Sequence, residues 1–207
     1  MIGNSNDLTR HNAFERTNHW IVAVCFVLAA LSGMSLFHPF FWPLSLLFGG
    51  GVWTRIIHPF IGLLLVASFV PMFVRFRGFN RMKPADWDWI KRVWEMAQRG
   101  DDRNMPPQEK YNGAQKLIFW AACAFFLLMA FTGLAMWRAY FTFPVTLVRF
   151  AVVIHAAIGA VFIVMIILHI YAAIWVRGTI NAMLYGTVSR AWAKQHHKIW
   201  YRQMTER

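Results

Sequence analysis

Four long apolar stretches divide the chain, and polar, mostly basic segments lie between and around them. The longest stretch, Phe150–Val176, holds 27 residues without a single Asp, Glu, Lys or Arg. A helix needs about 20 apolar residues to cross the hydrocarbon core of a bilayer. The pattern therefore predicts an all-α integral membrane protein, a four-helix bundle forming one domain (1–207) with short cytoplasmic surface helices. The four spans are expected at about 13–37, 52–76, 115–137 and 148–176.

Two histidines, His155 and His169, lie fourteen positions apart inside the longest stretch. At about 100° per residue, both rings lie within about 40° of one stripe of the helix. At about 1.5 Å rise per residue they are roughly 21 Å apart, so one ring belongs near each membrane face. Titratable side chains at such depths are costly, and they usually mark a functional site.

The other spans add two more histidines. His19 lies near the start of the first span, and His58 lies inside the second if that helix begins upstream of it. Gly62 follows His58 by four residues, and Gly159 follows His155 by the same interval. A glycine on the same helix face lets a bulky group approach the backbone closely.

The distribution of the basic residues predicts the topology. The net charge of +12 comes from 21 Lys and Arg against 9 Asp and Glu. Eighteen of the basic residues lie in the two termini and the middle loop, and three lie in the other two loops. The positive-inside rule therefore places both termini and the middle loop in the cytoplasm. The basic excess then encodes topology and contact with anionic lipid, and it gives no support to a nucleic-acid partner.

This topology pairs the four histidines by depth. His58 and His155 belong near the periplasmic face, and His19 and His169 near the cytoplasmic face. Opposed imidazoles on neighbouring helices suit bis-histidine b-type haem, which serves electron transfer. Zinc is a weaker alternative because it takes about four ligands. A proton relay is another, but it usually needs acidic partners, and no Asp or Glu lies in the apolar parts of the spans (20–37, 59–74, 117–137 and 150–176).

Segments outside the spans carry less information. Pro84–Ala97 has the apolar spacing of an amphipathic helix on the membrane surface, and 178–193 resembles a second surface helix. The pair His196–His197 lies in a basic tail, for which we expect a solvated position. Two cysteines without metal-ligand spacing are expected to be small buried apolar residues; these are Cys25 and Cys123.

Seven short motifs extend over almost the whole chain: HW at 19–20, ALSG at 30–33, RIIHPFIG at 55–62, KYNGAQK at 110–116, IHAAIG at 154–159, LHIYAAIW at 168–175 and SRAWAKQHHKIWYR at 189–202. In these motifs the chain resembles the gamma (cytochrome b556) subunit of membrane-bound, quinone-linked formate dehydrogenases. Binding haem alone would not require the fourth and seventh motifs, so they are the most specific.

The resemblance implies a function and a set of partners. Electrons from periplasmic formate oxidation would arrive through an iron–sulfur beta subunit bound to a molybdenum or tungsten catalytic alpha subunit. They would cross two b haems and reduce a quinone, menaquinone or ubiquinone, at the cytoplasmic side. The chain would not oxidise formate by itself. The expected location is the bacterial inner membrane, in heterotrimers that can assemble into a higher oligomer.

The resemblance also assigns site residues. His58 and His155 would hold the periplasmic haem iron, and His19 and His169 the cytoplasmic one. The residues lining the quinone would be Asn112, Gly113, Ala114 and Gln115. The family order at these positions is Asn-Ala-Gly-Gln, so this chain exchanges the two middle residues.

Three other functions remain open from the sequence. The chain could be the cytochrome b of a hydrogenase or thiosulfate reductase, which shares the same fold. It could be a stand-alone b561-like oxidoreductase without large partners. It could also be a haem-free transporter or anchor, although the absence of carboxylates from the apolar parts of the spans argues against proton-coupled transport.

Overall fold

Helices form most of the chain in the computed structural model, which describes residues 7–100 and 104–206. In chain order these helices are α1 (Ala13–Phe37), α2 (Gly51–Phe76), α3 (Pro84–Lys91), α4 (Val93–Arg99), α5 (Gly113–Met136), α6 (Val145–Trp175), α7 (Thr179–Leu184), α8 (Arg190–His196) and α9 (Lys198–Thr205). A 3₁₀ helix, Pro39–Phe48, follows α1. Two short strands, β1 (Leu8–Thr9) and β2 (Thr187–Val188), complete the described elements.

The four predicted spans are confirmed, since α1, α2, α5 and α6 are each long and apolar enough to cross a membrane. The chain is therefore an all-α integral membrane protein. Helix α2 begins at Gly51 and continues through Pro59, so His58 lies inside the helix and not at its start. The two cysteines, Cys25 and Cys123, are free and buried as predicted.

The backbone forms two compact units. The bundle unit comprises residues 17–73 and 122–168, and the terminal unit comprises the described parts of residues 1–16, 74–121 and 169–207. The organisation of the chain as a single domain stays a prediction.

Aromatic side chains hold the bundle unit together. Phe162 of α6 is 2% exposed, and its ring centre lies 4.8 Å from Phe26 of α1 and 4.9 Å from Phe126 of α5. Phe126 in turn lies 4.4 Å from Phe69 of α2. Aromatic pairs at these separations each contribute about 0.5–1.5 kcal/mol beyond the burial of their area. The middle parts of all four spanning helices therefore meet at one aromatic centre.

The terminal unit joins the two ends of the chain. Strand β1 pairs antiparallel with β2, with Leu8 opposite Val188. The side chain of Leu8 lies in an apolar cluster supplied mainly by the C-terminal segment, with Ala182, Val188, Trp192, Ala193 and Trp200. The first described residues are thus packed against the last ones.

The surface helix predicted at 84–97 is two helices. Helix α3 ends at Lys91 and α4 begins at Val93, because Arg92 adopts φ −94° and ψ 0° and its N–H bonds to the Trp89 carbonyl in a tight turn. The predicted apolar stripe is exposed at Trp87 and Trp94, while Trp89 is buried.

The continuous helix predicted at 178–193 is wrong. Helix α7 ends at Leu184, β2 follows, and α8 starts only at Arg190. Gly186 breaks the helix with φ +84°, and a Cβ at this position would lie 2.5 Å from the His11 carbonyl oxygen. The contact with the N-terminal segment therefore requires a glycine and a left-handed backbone here.

Candidate functional site

Two of the predicted histidines face each other in the bundle unit. The ring centres of His58 on α2 and His155 on α6 are 6.3 Å apart, with the ring planes at 78°. Metal–imidazole bonds of about 2 Å on both sides of one ion would place the two ring centres about 6 Å apart. The separation of these two rings therefore suits a single metal ion held between them.

Each of these rings is held by a hydroxyl from a neighbouring helix. Ser32 Oγ on α1 lies 2.8 Å from Nδ1 of His58, and Thr132 Oγ1 on α5 lies 2.8 Å from Nδ1 of His155. Ser32 is fully buried. The sequence predicts no partner for Ser32 or Thr132, because pairing of these hydroxyls with the histidines depends on how the helices pack.

The hydroxyl bonds determine which ring nitrogen carries the proton. Ser32 Oγ donates its only proton to the Leu28 carbonyl (2.7 Å), and Thr132 Oγ1 donates to the Leu128 carbonyl (2.6 Å). Towards the imidazole each hydroxyl can then only accept, so Nδ1 of each ring is the donor. The lone pair of each ring is left on Nε2, which is the atom available to a metal.

Glycines lie next to both rings. A Cβ at Gly33 would lie 3.2 Å from Cε1 of His58, and a Cβ at Gly133 would lie 3.4 Å from Cε1 of His155. A Cβ at Gly62, one turn after His58, would meet no atom within 4 Å. The rings are therefore packed closely against Gly33 and Gly133, and the space beside Gly62 is open.

These features fit a haem better than zinc. In residues 7–100 and 104–206, no group of three or more His, Cys, Asp or Glu side chains is placed to hold a metal ion. Two imidazoles with Nε2 lone pairs match the axial ligand set of b-type haem, in which a porphyrin supplies the other four bonds. When bound, such a group supplies one-electron transfer.

His19 and His169 form the second predicted pair. His19 lies in α1 and is partly buried, with its ring centre 5.5 Å from that of Trp20 and the planes nearly perpendicular. His169 lies in α6 and is also partly buried. The two belong to different compact units, and their pairing stays a prediction.

The predicted quinone segment forms the start of α5 in the terminal unit. Asn112 caps the helix reciprocally with Gln115, through Gln115 N–H to Asn112 Oδ1 (3.0 Å) and Asn112 N–H to Gln115 Oε1 (3.1 Å). Gly113 packs so closely on α3 that a Cβ would clash with the Asp86 carbonyl oxygen. Ala114 is partly buried. The first N–H groups of a helix have no partner within the helix, and a helix start is therefore a place where oxygen acceptors bind.

A buried ion pair next to this segment was not predicted. Lys116, 1% exposed, donates to Asp86 Oδ2 at 2.8 Å, and Glu109 Oε2 lies 3.7 Å from the same ammonium. In the sequence, Lys116 is the last residue of the KYNGAQK motif at 110–116. Its acidic partner is thirty residues away in the chain and gave no local signal.

The tail histidine is buried, so the prediction of a solvated position is wrong for His197. It is 1% exposed, and its Nδ1 bonds to the Glu109 carbonyl at 2.6 Å. Its Nε2 lies 3.2 Å from Arg10 Nη2. Burial and the Arg10 charge hold the pKa of His197 well below its usual value, so the neutral ring donates to the carbonyl and accepts from the guanidinium.

Arg10 links the segments of the terminal unit. Its Nη2 donates to the Lys110 carbonyl, and its guanidinium lies over the rings of Trp192 (4.9 Å) and Trp200 (5.1 Å). Burial lowers the pKa of Arg10 to about 10, which still leaves the group charged near neutral pH. The same cation thus contacts the chain before α5 and the C-terminal helices.

His11 is a second buried histidine in this unit. Its Nδ1 lies 3.2 Å from Glu15 Oε2. Burial first, and then the charges of Lys110 and Arg10, lower the pKa of His11 to about 3, although Glu15 acts in the opposite direction. The contact is therefore a hydrogen bond from a neutral ring and not an ion pair.

Several known proteins are similar to this chain in sequence. Residues 10–186 match the family model of prokaryotic cytochrome b561. The chain is 41% identical over 199 residues to the formate dehydrogenase cytochrome b556(fdo) subunit of Escherichia coli, which covers 95% of this chain and 93% of the relative.

Two further relatives agree. The nitrate-inducible formate dehydrogenase cytochrome b556(Fdn) subunit of Escherichia coli is 38% identical, over 98% of this chain and 94% of the relative. The formate dehydrogenase cytochrome b556 subunit of Haemophilus influenzae is 33% identical, over 98% of this chain and 85% of the relative. The similarity therefore extends across all four spanning helices.

Proposed function

Because the chain belongs to the prokaryotic cytochrome b561 family and is similar to the cytochrome b556 subunits of formate dehydrogenases, we propose that it carries electrons from formate oxidation to quinone. It is a membrane cytochrome b that serves as the electron-transfer subunit of a formate dehydrogenase complex. We also assign the number of haems, the residues that hold them, the side of the membrane on which quinone is reduced and the orientation of the chain in the membrane.

The single observation that carries the proposal is the geometry of His58 and His155. Their ring centres lie 6.3 Å apart, and both Nδ1 atoms are engaged by hydroxyls at 2.8 Å. We assign these two residues as axial ligands of one b haem. Two axial ligands fill the coordination sphere of the iron, which favours electron transfer over binding of a substrate.

A second b haem is assigned to His19 and His169. The helical spacing of His155 and His169, roughly 21 Å along the axis, supports this assignment. Two haems at that spacing place redox groups near both membrane faces. The periplasmic haem is then assigned to His58 and His155, and the cytoplasmic haem to His19 and His169.

Quinone reduction is assigned to the start of α5, at Asn112, Gly113, Ala114 and Gln115. The N–H groups at a helix start and the amide side chains of its cap can donate hydrogen bonds to quinone oxygens. The quinone is menaquinone or ubiquinone. Reduction at the cytoplasmic side would draw protons from the cytoplasm, while formate oxidation releases protons outside.

The orientation follows from charge. Eighteen of the 21 Lys and Arg residues lie in the termini and the middle loop, so the positive-inside rule favours a cytoplasmic location for both termini. The bacterial inner membrane is the compartment that matches this topology. The same basic segments suit contact with anionic lipid.

The partners are proposed from the names of the relatives. A formate dehydrogenase needs a catalytic alpha subunit, containing molybdenum or tungsten, and an iron–sulfur beta subunit that hands electrons to this chain. These three chains form a heterotrimer, which can assemble further. Co-purification of two larger subunits with this chain distinguishes this assembly from a stand-alone b561-like oxidoreductase.

The test is a haem count on the wild-type chain and on His155→Ala and His169→Ala. A dithionite-reduced minus oxidised spectrum with a pyridine haemochrome assay is expected to give two b haems for the wild type and one for each variant. His38→Ala, at an exposed histidine outside the four spans, is the matched control and should keep both. Correctly inserted wild-type chain without haem would overturn the cytochrome assignment.

A further inference from the structure

The terminal unit contains a row of four charged side chains that runs from its surface to the start of α5. Lys83, whose side chain is 55% exposed, lies 2.5 Å from Glu109 Oε1. The side chain of Glu109 is 28% exposed, and its Oε2 lies 3.7 Å from Lys116 Nζ. Lys116 Nζ in turn lies 2.8 Å from Asp86 Oδ2, and these last two side chains are 1% and 4% exposed. Exposure thus falls from Lys83 at the surface to the buried pair of Lys116 and Asp86.

The inner end of the row is costly to build. A fully buried ammonium loses its hydration, and ion pairing restores only part of that free energy. Lys116 also lies in the first turn of a helix that is long and apolar enough to cross a membrane. Charged groups in such positions usually belong to ion or proton pathways. Two well-packed apolar side chains would join α3 to α5 at least as stably.

The row is balanced and chemically suited to moving protons. Lys83 and Lys116 each carry one positive charge, and Glu109 and Asp86 each carry one negative charge, so the row as a whole is neutral. The charged groups that face Lys116 are Asp86 from α3 and Glu109 from the segment before α5. When the Lys116 ammonium gives up a proton the row carries one net negative charge, and a proton taken up through Glu109 restores the neutral state.

The row ends against the segment to which we assign the quinone. Lys116 follows Gln115 directly in α5, and Gln115 forms the cap with Asn112. The Asp86 carbonyl oxygen touches Gly113 so closely that no side chain fits there. The buried acid–base pair and the proposed quinone segment are therefore in direct packing contact.

We propose that Glu109, Lys116 and Asp86 form the proton-entry route for quinone reduction, with Lys116 as the buried proton carrier. This proposal rests on the proposed quinone function. Each quinone takes two electrons from formate oxidation and two protons. For each proton, an N–H bond of the Lys116 ammonium breaks and an O–H bond forms on an oxygen of the reduced quinone, whose negative charge came with the electron. The Lys116 amine then takes a proton from the carboxylic acid form of Glu109, and the Glu109 carboxylate regains a proton from a hydronium ion of the surrounding water.

The experiment uses the intact complex and compares three rates. These are formate oxidation with a soluble dye, reduction of the b haems by formate, and reduction of a soluble quinone analogue by formate. The main variants are Lys116→Met and the paired Asp86→Leu/Lys116→Met, which leaves no unpaired buried charge. Asp88→Asn is the matched control, since Asp88 lies on the same helix and is exposed and ion-paired with Lys91 at 3.5 Å.

The expected result is selective loss of quinone reduction. Loss of a positioned proton donor lowers a rate by roughly 100-fold or more, so quinone reduction in mildly alkaline buffer should fall by about that factor in both Lys116 variants. Mildly acidic buffer should restore part of it, because protons then reach the quinone from water. Dye reduction, haem content and haem reduction should equal those of wild type and Asp88→Asn.

Two results would overturn the route. In the first, the paired variant reduces quinone at the wild-type rate in both buffers, which makes Lys116–Asp86 only a packing contact. In the second, both variants lose haem reduction together with quinone reduction, which makes the pair a structural clamp. A wild-type complex that reduces its haems with formate but reduces no quinone would instead overturn the proposed quinone function itself.

Discussion

The hydroxyl of Ser32 lies 2.8 Å from Nδ1 of His58 while donating its own proton to a carbonyl of α1. Thr132 repeats this arrangement towards His155. In both cases a glycine follows the hydroxyl residue and lies against the same imidazole. Two helix pairs that differ in sequence thus present their histidines in the same way, with Nε2 left for a metal.

The first prediction concerns the redox potential of the haem assigned to His58 and His155. Replacing Thr132 by Val removes the acceptor for Nδ1–H, which lowers the basicity of the ring and stabilises ferric iron less. The midpoint potential should therefore rise, by about 40 mV if the hydrogen bond contributes about 1 kcal/mol. A spectroscopic redox titration of the two b haems measures this shift.

Thr132→Ser is the matched control because it keeps the hydroxyl. Its titration should overlay that of the wild type. A Thr132→Val variant that retains both haems at unchanged potentials would show that the hydroxyl has no influence on the iron, and would count against His155 as a ligand.

The second prediction uses the clearance at Gly62. A leucine there meets no protein atom within 4 Å at its Cβ, and leucine is favourable in a spanning helix. If a haem lies beside His58 on this face, Gly62→Leu should remove that haem and leave the chain inserted. The haemochrome count should fall from two to one.

Gly78→Leu provides the comparison. Gly78 also has no atom within 4 Å of an added Cβ, but it lies in the turn after α2 and not beside a histidine. That variant should keep both haems. Equal haem content in both variants would mean that the haem does not occupy the Gly62 face.

The third prediction concerns Arg10. Arg10→Ala removes a buried cation that bonds to Lys110 and His197 and stacks on Trp192 and Trp200. The terminal unit should lose about 3 kcal/mol of stability, as expected when one partner of a buried charged network is deleted. Limited proteolysis of the tail after α7 and the melting temperature in detergent both report this loss.

The neutral reference for that experiment is Arg77→Ala, since Arg77 is exposed in the turn after α2. An exposed substitution of this kind usually changes stability by less than about 0.5 kcal/mol. If the Arg10 variant resists protease as well as the Arg77 variant, the ends of the chain are held by the apolar cluster alone.

The fourth prediction is a pH dependence of stability. The pKa of His11 is lowered to about 3 by burial, Lys110 and Arg10, whereas an unfolded histidine titrates at about 6.5. Between these values the unfolded chain binds a proton that the folded chain does not. Stability should therefore fall as the pH drops from about 6.5 towards 3, by at most about 1.4 kcal/mol per pH unit for this residue.

Melting temperatures of wild type and His11→Asn across that pH range measure the effect. The variant should be less stable near neutral pH, because it lacks the ring, and its melting temperature should change less steeply with pH. Identical slopes would assign the acid sensitivity to other groups, of which His197 is the first to examine since its pKa is also lowered by burial.

The features that local pattern encodes were predictable from the sequence. The four spans depend only on runs of apolar residues, and their observed ends lie within three residues of the predicted ones. The partnership of His58 and His155 followed from helix direction and depth, which the basic loops determine. That prediction required α2 to begin upstream of His58, and α2 begins at Gly51.

The contacts between distant segments were not predictable in this way. His197 seemed solvated because its neighbours are basic, but its environment comes from Arg10 and Glu109, which lie far away in the chain. Gly186 interrupts a pattern that reads as one helix, because the carbonyl of His11 packs against it. The motif that ends at Lys116 contains no acidic residue, and its partner Asp86 comes from α3.

The pairing of Leu8 with Val188 also has a consequence for biosynthesis. The strand that receives β1 leaves the ribosome only after some 180 further residues, which takes about 10–40 s at usual elongation rates. All four spanning helices enter the membrane during that interval, while the N-terminal segment has no strand partner. The terminal unit therefore closes after translation, and a ribosome that stops before residue 187 leaves a chain with membrane helices but an open N-terminus.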